Sequence, residues 1–117
     1  MWAVENGIDV YLVLGTTDMR KSINGLSFIV SEVLEEDLYS GNLFVFCNKP
    51  GKIIKILYWD RNGFCVWYKK LDQDRFLWPR DQLEVKQISN RQLSWLLDGL
   101  KLDQPHAYKE LNLSEAF

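Results

Sequence analysis

The chain has 117 residues and a formal net charge of −2, and 47% of its residues are hydrophobic and 26% charged. These values predict one globular domain with a single core, and they exclude a disordered chain, a collagen-like repeat and a coiled-coil rod. Aromatic residues make up 14% of the chain, which favours strands over a helical bundle.

Targeting signals and cysteines bear on the cellular compartment. No apolar run approaches the roughly 20 residues that span a bilayer, and the N-terminus shows no basic stretch followed by an apolar run. Cys47 and Cys65 form no CxxC pair, and with His106 as the single histidine they cannot complete a zinc site. We expect two reduced thiols, with a cross-strand disulfide as the minor alternative, in a cytoplasmic protein that meets no membrane.

Charge is distributed unevenly along the chain. Residues 1–48 carry two Lys or Arg and seven Asp or Glu, residues 49–91 carry ten and five, and residues 92–117 carry two and four. The middle segment therefore has a balance of +5 between two acidic segments. Such an asymmetry is typical of proteins that meet a charged partner.

The first predicted element is a buried strand at residues 8–14, because this stretch is β-rich and almost wholly apolar. Gly15 breaks the strand. Apolar residues then recur three or four positions apart over residues 18–36, which predicts a long helix with Thr17 or Asp18 as its N-cap.

Four strands are predicted next, at residues 43–47, 52–59, 64–71 and 75–78. Pro50-Gly51 and Asn62-Gly63 mark tight turns, and Pro79 stops the last strand. Strands joined by such short turns form an antiparallel meander. Residues 83–88 predict a weaker strand or an extended approach to the last helix.

The last helix has the strongest local signature. Ser89 and Gln92 have the spacing of a capping box. The leucines that follow form one apolar stripe: Leu93, Leu96, Leu97 and Leu100. Together the elements predict an α+β fold, in which an antiparallel sheet, a meander of about five strands, packs against a long N-terminal helix and is followed by a C-terminal helix. We assign residues 1–102 to this domain and residues 103–117 to a tail.

Catalytic patterns are weak in this sequence. A nucleophile activated by histidine needs that histidine within the fold, whereas His106 lies in the tail. The sequence contains no Gly-rich nucleotide loop, and residues 35–37 (EED) have the character of a solvated helix end. We expect no catalytic activity, no cofactor, no metal and no small-molecule substrate. A metal-dependent nuclease would need a carboxylate cluster drawn from Asp18, Asp60, Asp72, Asp74 and Asp81.

Residues 15–21 (GTTDMRK) form a candidate anion site. They join a strand to a predicted helix start, where free backbone N–H groups attract anions, and Arg20 and Lys21 add positive charge. The alternative is an ordinary capped helix with two solvated basic side chains, since Asp18 would compete with a phosphate.

Basic and aromatic residues alternate through the predicted meander, and both faces of its strands carry apolar bulk. Three interpretations stay open: a sheet buried on both faces whose lysines reach solvent at the strand ends, a nucleic-acid surface, and a docking site for another protein. The nucleic-acid hypothesis assigns phosphate contacts and base stacking to Arg20, Lys21, Lys52, Lys55, Arg61, Trp67, Tyr68, Lys69, Lys70, Arg75 and Arg80.

The ordered motifs resemble those of one known family. They are TDMRK at residues 17–21, GNLFVF at 41–46, KILYWD at 55–60, GFCVWYKKL at 63–71, RFLWP at 75–79 and QLSWLLDG at 92–99. In this order, over residues 10–100, the chain resembles TnpB, the small accessory protein encoded by insertion sequences of the IS66 type. Residues 47–51 (CNKPG) depart from the Arg-rich turn that is usual in the family.

The resemblance implies a role in DNA transposition beside a separate, larger transposase that carries the chemistry. Our leading hypothesis is a non-catalytic accessory protein that contacts DNA, at the ends of the insertion sequence, through a basic aromatic surface of the sheet. The alternative is a protein–protein adaptor that binds the cognate transposase without touching DNA. The net charge of −2 slightly favours the adaptor, because dedicated DNA binders are usually basic.

Overall fold

The computed structural model describes residues 7–79 and 84–106. One five-stranded sheet with the order β4-β3-β2-β1-β5 forms the centre of the fold. Its strands are β1 (Val10–Val13), β2 (Leu43–Cys47), β3 (Ile53–Asp60), β4 (Gly63–Lys70) and β5 (Val85–Ile88). The helical elements are α1 (Ile23–Phe28), which continues as a π-helical turn (Ile29–Val33), and α2 (Asn90–Leu97). The predicted α+β class is confirmed.

Strands β2, β3 and β4 form the predicted antiparallel meander. Asp60 lies opposite Gly63 at the tip of the β3–β4 hairpin. In the β2–β3 turn, the side-chain oxygen of Asn48 accepts the backbone N–H groups of Lys52 and Ile53 at 2.9 and 3.1 Å. Local turn chemistry therefore sets the register of these three strands.

The sheet is mixed, so the prediction of a purely antiparallel sheet is wrong. Strand β1 pairs in parallel with β2, with Val10 opposite Leu43, and antiparallel with β5, with Val10 opposite Ile88. The parallel pairing follows from α1, which lies between β1 and β2 in the chain and provides the crossover that parallel neighbours need. Residues 85–88 form the weaker strand predicted before the last helix.

Residues 75–78, predicted as a fourth strand of the meander, do not form a strand. They cross the end of the sheet instead. Phe76 N–H donates to the Gly51 carbonyl at 2.7 Å, and Trp78 Nε1 donates to a carbonyl in the loop after β1 at 3.2 Å. Both aromatic rings are buried, and the residues that precede them are exposed. This crossing segment (residues 72–78) leads the chain from β4 at one edge of the sheet towards β1 and β5 at the other.

The predicted long helix over residues 18–36 is also wrong, because regular helix begins only after Ser22. Two interactions compete with helix at its start. The Asp18 carboxylate accepts the backbone N–H of Arg20 at 2.9 Å, which is a turn rather than a helical arrangement. The Lys55 ammonium group donates hydrogen bonds to two carbonyl oxygens of the same loop, at 2.8 and 3.1 Å.

The helix also ends early. The N–H group of Leu34 donates to the Ile29 carbonyl at 2.9 Å, five residues back, which closes the π-helical turn. Glu35 then adopts a φ of 55°, a left-handed conformation that commonly terminates helices. The helical region is therefore about half the predicted length and lies between β1 and β2 rather than at the N-terminus.

Both faces of the sheet are covered. On one face, the α1 face, Leu26 and Val30 pack against Phe44, Phe46 and Leu57 of the sheet. On the opposite face, the α2 face, the sheet packs against α2 and the crossing segment through Leu12, Val45, Ile54, Ile56, Phe76, Trp78, Leu93, Leu96 and Leu97. The two helices therefore lie on opposite sides of the sheet, and the fold has three layers.

The C-terminal helix starts as predicted. The Ser89 hydroxyl accepts the Gln92 backbone N–H, and the Gln92 side-chain oxygen accepts the Ser89 backbone N–H, both at 3.0 Å, which completes the capping box. At the other end of α2, the Lys69 ammonium group of β4 donates to the Leu97 carbonyl at 2.8 Å. A cation at this position stabilises the negative end of the helix dipole.

Replacing Ser89 with Ala removes the accepting hydroxyl of the capping box. We expect the free energy of unfolding to fall by about 1 kcal/mol, as is typical when an N-cap is lost. Urea denaturation measures the change. Ser22→Ala is the matched control, because Ser22 is the N-cap of α1 and its side chain makes no capping hydrogen bond within the described chain. Equal losses in the two variants would contradict the role of the capping box.

Candidate nucleic-acid interface

Basic side chains from four separate segments converge at one end of the sheet. The C-terminal ends of β1, β2 and β4 and the starts of β3 and β5 form this end. We call it the basic end, and among the described residues it comprises Arg20, Lys21, Lys49, Lys52, Lys55, Lys69, Lys70 and Arg75. Five acidic residues lie in the same region: Asp18, Asp72, Asp74, Glu84 and Asp98. The formal charge of this end is therefore positive.

On the α1 face of the basic end, an exposed tyrosine lies among lysines. Tyr68 of β4 is 51% exposed and lies opposite Lys55 of β3, whose ammonium nitrogen is 6.0 Å from the ring centre. Lys70 is exposed and shares this face of β4, since side chains alternate along a strand. Lys21 borders the same surface, because its carbonyl accepts the Lys55 ammonium group at 3.1 Å. This group is one exposed part of the predicted aromatic and basic surface.

On the α2 face, the predicted contact residues take part in the fold itself. Lys69 is half-buried and donates to the Leu97 carbonyl at 2.8 Å. The Lys52 ammonium group donates to the Asp74 carbonyl in the crossing segment. Trp67 is half-buried and packs against the core of the α2 face. These side chains therefore hold α2 and the crossing segment against the sheet.

Arg20 is paired with Asp18 beside it. Its guanidinium group donates three hydrogen bonds of 2.7–3.1 Å to the carboxylate. These bonds, together with one from the Arg20 backbone, lower the pKa of Asp18 to about 2, so the carboxylate stays charged at neutral pH. Three N–H groups of the loop predicted as an anion site are used internally: Thr17 donates to β2, and Arg20 and Lys21 donate to Asp18.

Arg61 lies at the opposite end of the sheet, at the tip of the β3–β4 hairpin, with its Nε atom 3.7 Å from Asp60 Oδ1. Carboxylates predominate on this side. Burial, followed by the charges of Asp9 and Glu36, raises the pKa of Tyr11 on β1. We call this region the acidic end, and it comprises Asp9, Glu36, Asp37 and Asp60. Arg61 is therefore separated from the basic end by the length of β3 and β4.

Three aromatic rings meet at the acidic end. The rings of Tyr39 and Trp59 lie edge to face with their centres 5.0 Å apart, and Phe64 lies 4.9 Å from Trp59 and 5.5 Å from Tyr39. Tyr39 is 62% exposed, and its backbone N–H donates to the Asp37 carboxylate at 2.9 Å. We call these three rings the aromatic cluster. Sequence analysis missed Tyr39, whose ring neighbours lie 20 and 25 positions further along the chain.

Metal-binding side chains do not cluster in the described part of the chain. Among residues 7–79 and 84–106, no three His, Cys, Asp or Glu side chains lie close enough together to hold a metal ion. Arg80 and Asp81 lie outside these residues. Cys47 is buried and Cys65 half-buried, and both thiols are reduced, as predicted. Within the same residues, no helix has the length and apolar character to cross a bilayer.

An open cavity of about 660 Å³ lies at the basic end, between the β2–β3 turn, the crossing segment and the turn after α2. It is lined by Pro50, Lys52, Asp74, Arg75, Leu77 and Gly99. Sequence analysis missed Leu77 as a surface residue. The signal that identifies it is alternation, because Phe76 and Trp78 are buried and the residues between and before them therefore point outwards.

The exposed groups of the basic end have the chemistry that suits a polyanion. Lys21, Lys70 and Arg75 are exposed, and the ring of Tyr68 lies beside the lysines. Cations attract phosphates irrespective of the base sequence, and an exposed ring can stack on an unpaired base.

The family model described as IS66 Orf2-like protein matches residues 8–107. An uncharacterized protein of Sinorhizobium fredii, y4hO, is 39% identical over 98 residues, which cover 84% of this chain and 85% of the relative. A second uncharacterized protein of that organism, y4jC, is 30% identical over 94 residues, or 80% of each chain. No solved structure matches the chain significantly. The family match spans every described strand and helix together with the basic end, and the chain belongs to the IS66 Orf2-like family.

Proposed function

We propose that this protein is a non-catalytic accessory protein of insertion-sequence transposition that contacts DNA through its basic end. It acts in the cytoplasm beside the cognate transposase, which carries the chemistry. Family membership supports the role in transposition. The observation that carries the DNA contact is the convergence of eight Lys and Arg side chains from four segments at one end of the sheet, beside the exposed ring of Tyr68.

Two groups of cations are distinguished at the basic end. Four donate to oxygen atoms of the protein: Arg20, Lys52, Lys55 and Lys69. The second group consists of three exposed cations: Lys21, Lys70 and Arg75. Each neutralised phosphate contributes about −0.9 to the slope of log affinity against log salt. Contacts by the three exposed cations therefore predict a slope of about −2.7 on duplex DNA.

Arg75→Gln removes one exposed cation of the basic end. We expect this variant to bind a duplex carrying an insertion-sequence end more weakly, with the slope against log salt flattened by about 0.9. Fluorescence anisotropy over a series of salt concentrations measures both quantities. Arg61→Gln is the matched control, because Arg61 is equally a surface arginine but lies beside Asp60 at the acidic end. Its affinity and slope should not change.

Two outcomes of these titrations would count against the proposal. If the unaltered protein binds neither duplex nor single-stranded DNA at low salt, the DNA contact is refuted. If Arg61→Gln and Arg75→Gln weaken binding equally, the contact does not lie at the basic end.

Lys69 and Lys70 are neighbours on opposite faces of β4, and we expect different effects from their replacement. Lys70→Met should weaken DNA binding and leave stability nearly unchanged, because Lys70 is exposed. Lys69→Met removes the donor to the Leu97 carbonyl and should lower the free energy of unfolding by about 0.5–1.5 kcal/mol. Urea denaturation and DNA anisotropy on the same preparations separate the two effects. The reverse pattern would contradict the division of the cations into two groups.

A second candidate function, that of an adaptor for the cognate transposase, is favoured by the aromatic cluster. Tyr39 is 62% exposed and rests on Trp59 and Phe64. Aromatic residues are enriched in protein interfaces and among the residues that contribute most to binding. This surface lies at the acidic end, so a contact there does not depend on DNA.

Tyr39→Ala removes the exposed ring of the aromatic cluster. Under the adaptor hypothesis, we expect the variant to lose co-purification with the cognate transposase and to keep its affinity for DNA. Phe28→Ala is the matched control, because Phe28 is a 61% exposed aromatic residue on α1, outside the cluster. Retention of the transposase by Tyr39→Ala, or its loss in both variants, would exclude the aromatic cluster as the specific site.

A further inference from the structure

We infer that the cavity at the basic end receives an unpaired nucleotide of a DNA strand, with its phosphate on Arg75 and its base against Leu77 and Pro50. Because the site presupposes DNA at the basic end, the inference rests on the proposed function, and it adds a preference for unpaired over paired DNA. The cavity measures about 660 Å³, within the roughly 300–1,000 Å³ of small-ligand sites.

The wall formed by the crossing segment is fixed to the core. Phe76 is 2% exposed, and its N–H donates to the Gly51 carbonyl at 2.7 Å. Gly51 has a φ of 75°, and a Cβ there would lie 3.2 Å from the Phe76 carbonyl oxygen, so this close approach requires glycine. The Lys52 ammonium group holds the carbonyl of Asp74 at the start of the wall. A wall that is already formed loses little conformational entropy when a ligand binds.

The lining combines positive charge with apolar surface. Lys52 and Arg75 outweigh the carboxylate of Asp74, so the lining is net positive, and a guanidinium group pairs well with phosphate oxygens. Leu77 is 42% exposed. With Pro50 it offers apolar surface of the kind against which extruded bases pack. A nucleotide uses both parts of the lining, whereas an inorganic anion would use the charge alone.

Pairing decides which DNA can present a base to the cavity. In a duplex each base is stacked and paired, so the duplex offers its phosphates without an accessible base. An unpaired strand offers base and phosphate together, and its neighbouring phosphates reach the exposed cations of the basic end. A free nucleotide has the same base and phosphate but lacks those neighbouring phosphates. Binding measurements can therefore distinguish an unpaired DNA strand from a free nucleotide as the ligand of the cavity.

The test measures the affinity of the protein for two labelled single strands of about 12 nucleotides, a length within the site sizes of single-strand binding domains. One is oligothymidylate, and the other has the same length and charge but lacks its central bases. We expect the strand with all its bases to bind about 5- to 10-fold more tightly, as burial of roughly 40–55 Å² of apolar surface would give. The affinity for a duplex of the same length is measured in the same way, and free thymidine monophosphate is tested as a competitor. The strand should bind more tightly than the duplex, and the monophosphate should compete only weakly.

Leu77→Ala should remove most of the difference between the two strands and leave the affinity for the strand without central bases unchanged. Val33→Ala is the matched control, because Val33 is a 54% exposed apolar residue in the π-helical turn, outside the cavity lining. It should preserve the difference. Leu77→Gln is a second variant that keeps most of the side-chain volume and removes its apolar character. If urea denaturation shows that Leu77→Ala unfolds the protein, Leu77→Gln provides the same test.

Three results would overturn the nucleotide site. Equal affinity for the two strands, with the effect of Arg75→Gln retained, refutes it and leaves DNA contact through the basic end standing. Strong competition by thymidine monophosphate without a preference between the strands indicates a site for free nucleotides instead. Failure to bind any of these DNA molecules refutes both the nucleotide site and the proposed function.

Discussion

The hydrogen bond from Phe76 to the Gly51 carbonyl fixes the part of the molecule on which the candidate interface depends. It ties the crossing segment to the β2–β3 turn at 2.7 Å, and burial of the Phe76 ring contributes about 1.5–3 kcal/mol to the same attachment. The segment therefore has one path across the end of the sheet. Phe76 and Trp78 of this segment are buried in the core of the α2 face. Arg75 and Leu77 alternate with them and therefore face solvent. A core contact thus helps to set the geometry of surface residues.

Three lysines of the sheet serve the fold as well as its surface charge. Lys52, Lys55 and Lys69 donate to backbone carbonyls that lie 22 to 36 residues away in the sequence, which satisfies acceptors that no strand or helix pairs. Strand alternation correctly predicts that Lys69 and Lys70 face opposite sides. It cannot predict which of them meets a carbonyl, because that depends on where α2 ends in space. The sequence therefore predicts seven of the eight cations of the basic end, but it omits Lys49, includes Arg61 from the opposite end, and does not divide the cations by role.

The same distinction between local and distant partners explains which parts of the fold the sequence predicts. The capping box at Ser89 and the turns of the meander involve residues within five positions of one another, and the predictions of both are confirmed. The prediction of a long helix is wrong because the ammonium group of Lys55, more than 30 residues away, donates to carbonyl oxygens that the helix would use. Polar or exposed residues alternate with buried aromatic residues over residues 75–78, as in a strand. Any extended segment with one buried side shows this alternation, whether or not it joins a sheet. The distant partners of Phe76 and Trp78 reveal that these residues cross the sheet instead of joining it.

The two ends of the sheet differ in charge, and this polarity determines how the molecule meets a polyanion. Under the proposed function, DNA would attract the basic end and repel the carboxylates of Asp37 and Asp60, so the electrostatic field would favour one orientation. Strands β3 and β4 have eight residues each, so at about 3.3 Å per residue roughly 25 Å separates the ends. The two proposed contacts are therefore compatible, because DNA at the basic end would leave the aromatic cluster facing away from it and open to a protein partner. The net charge of −2 does not oppose this arrangement, because a phosphate meets the local charge of the basic end rather than the average of the chain.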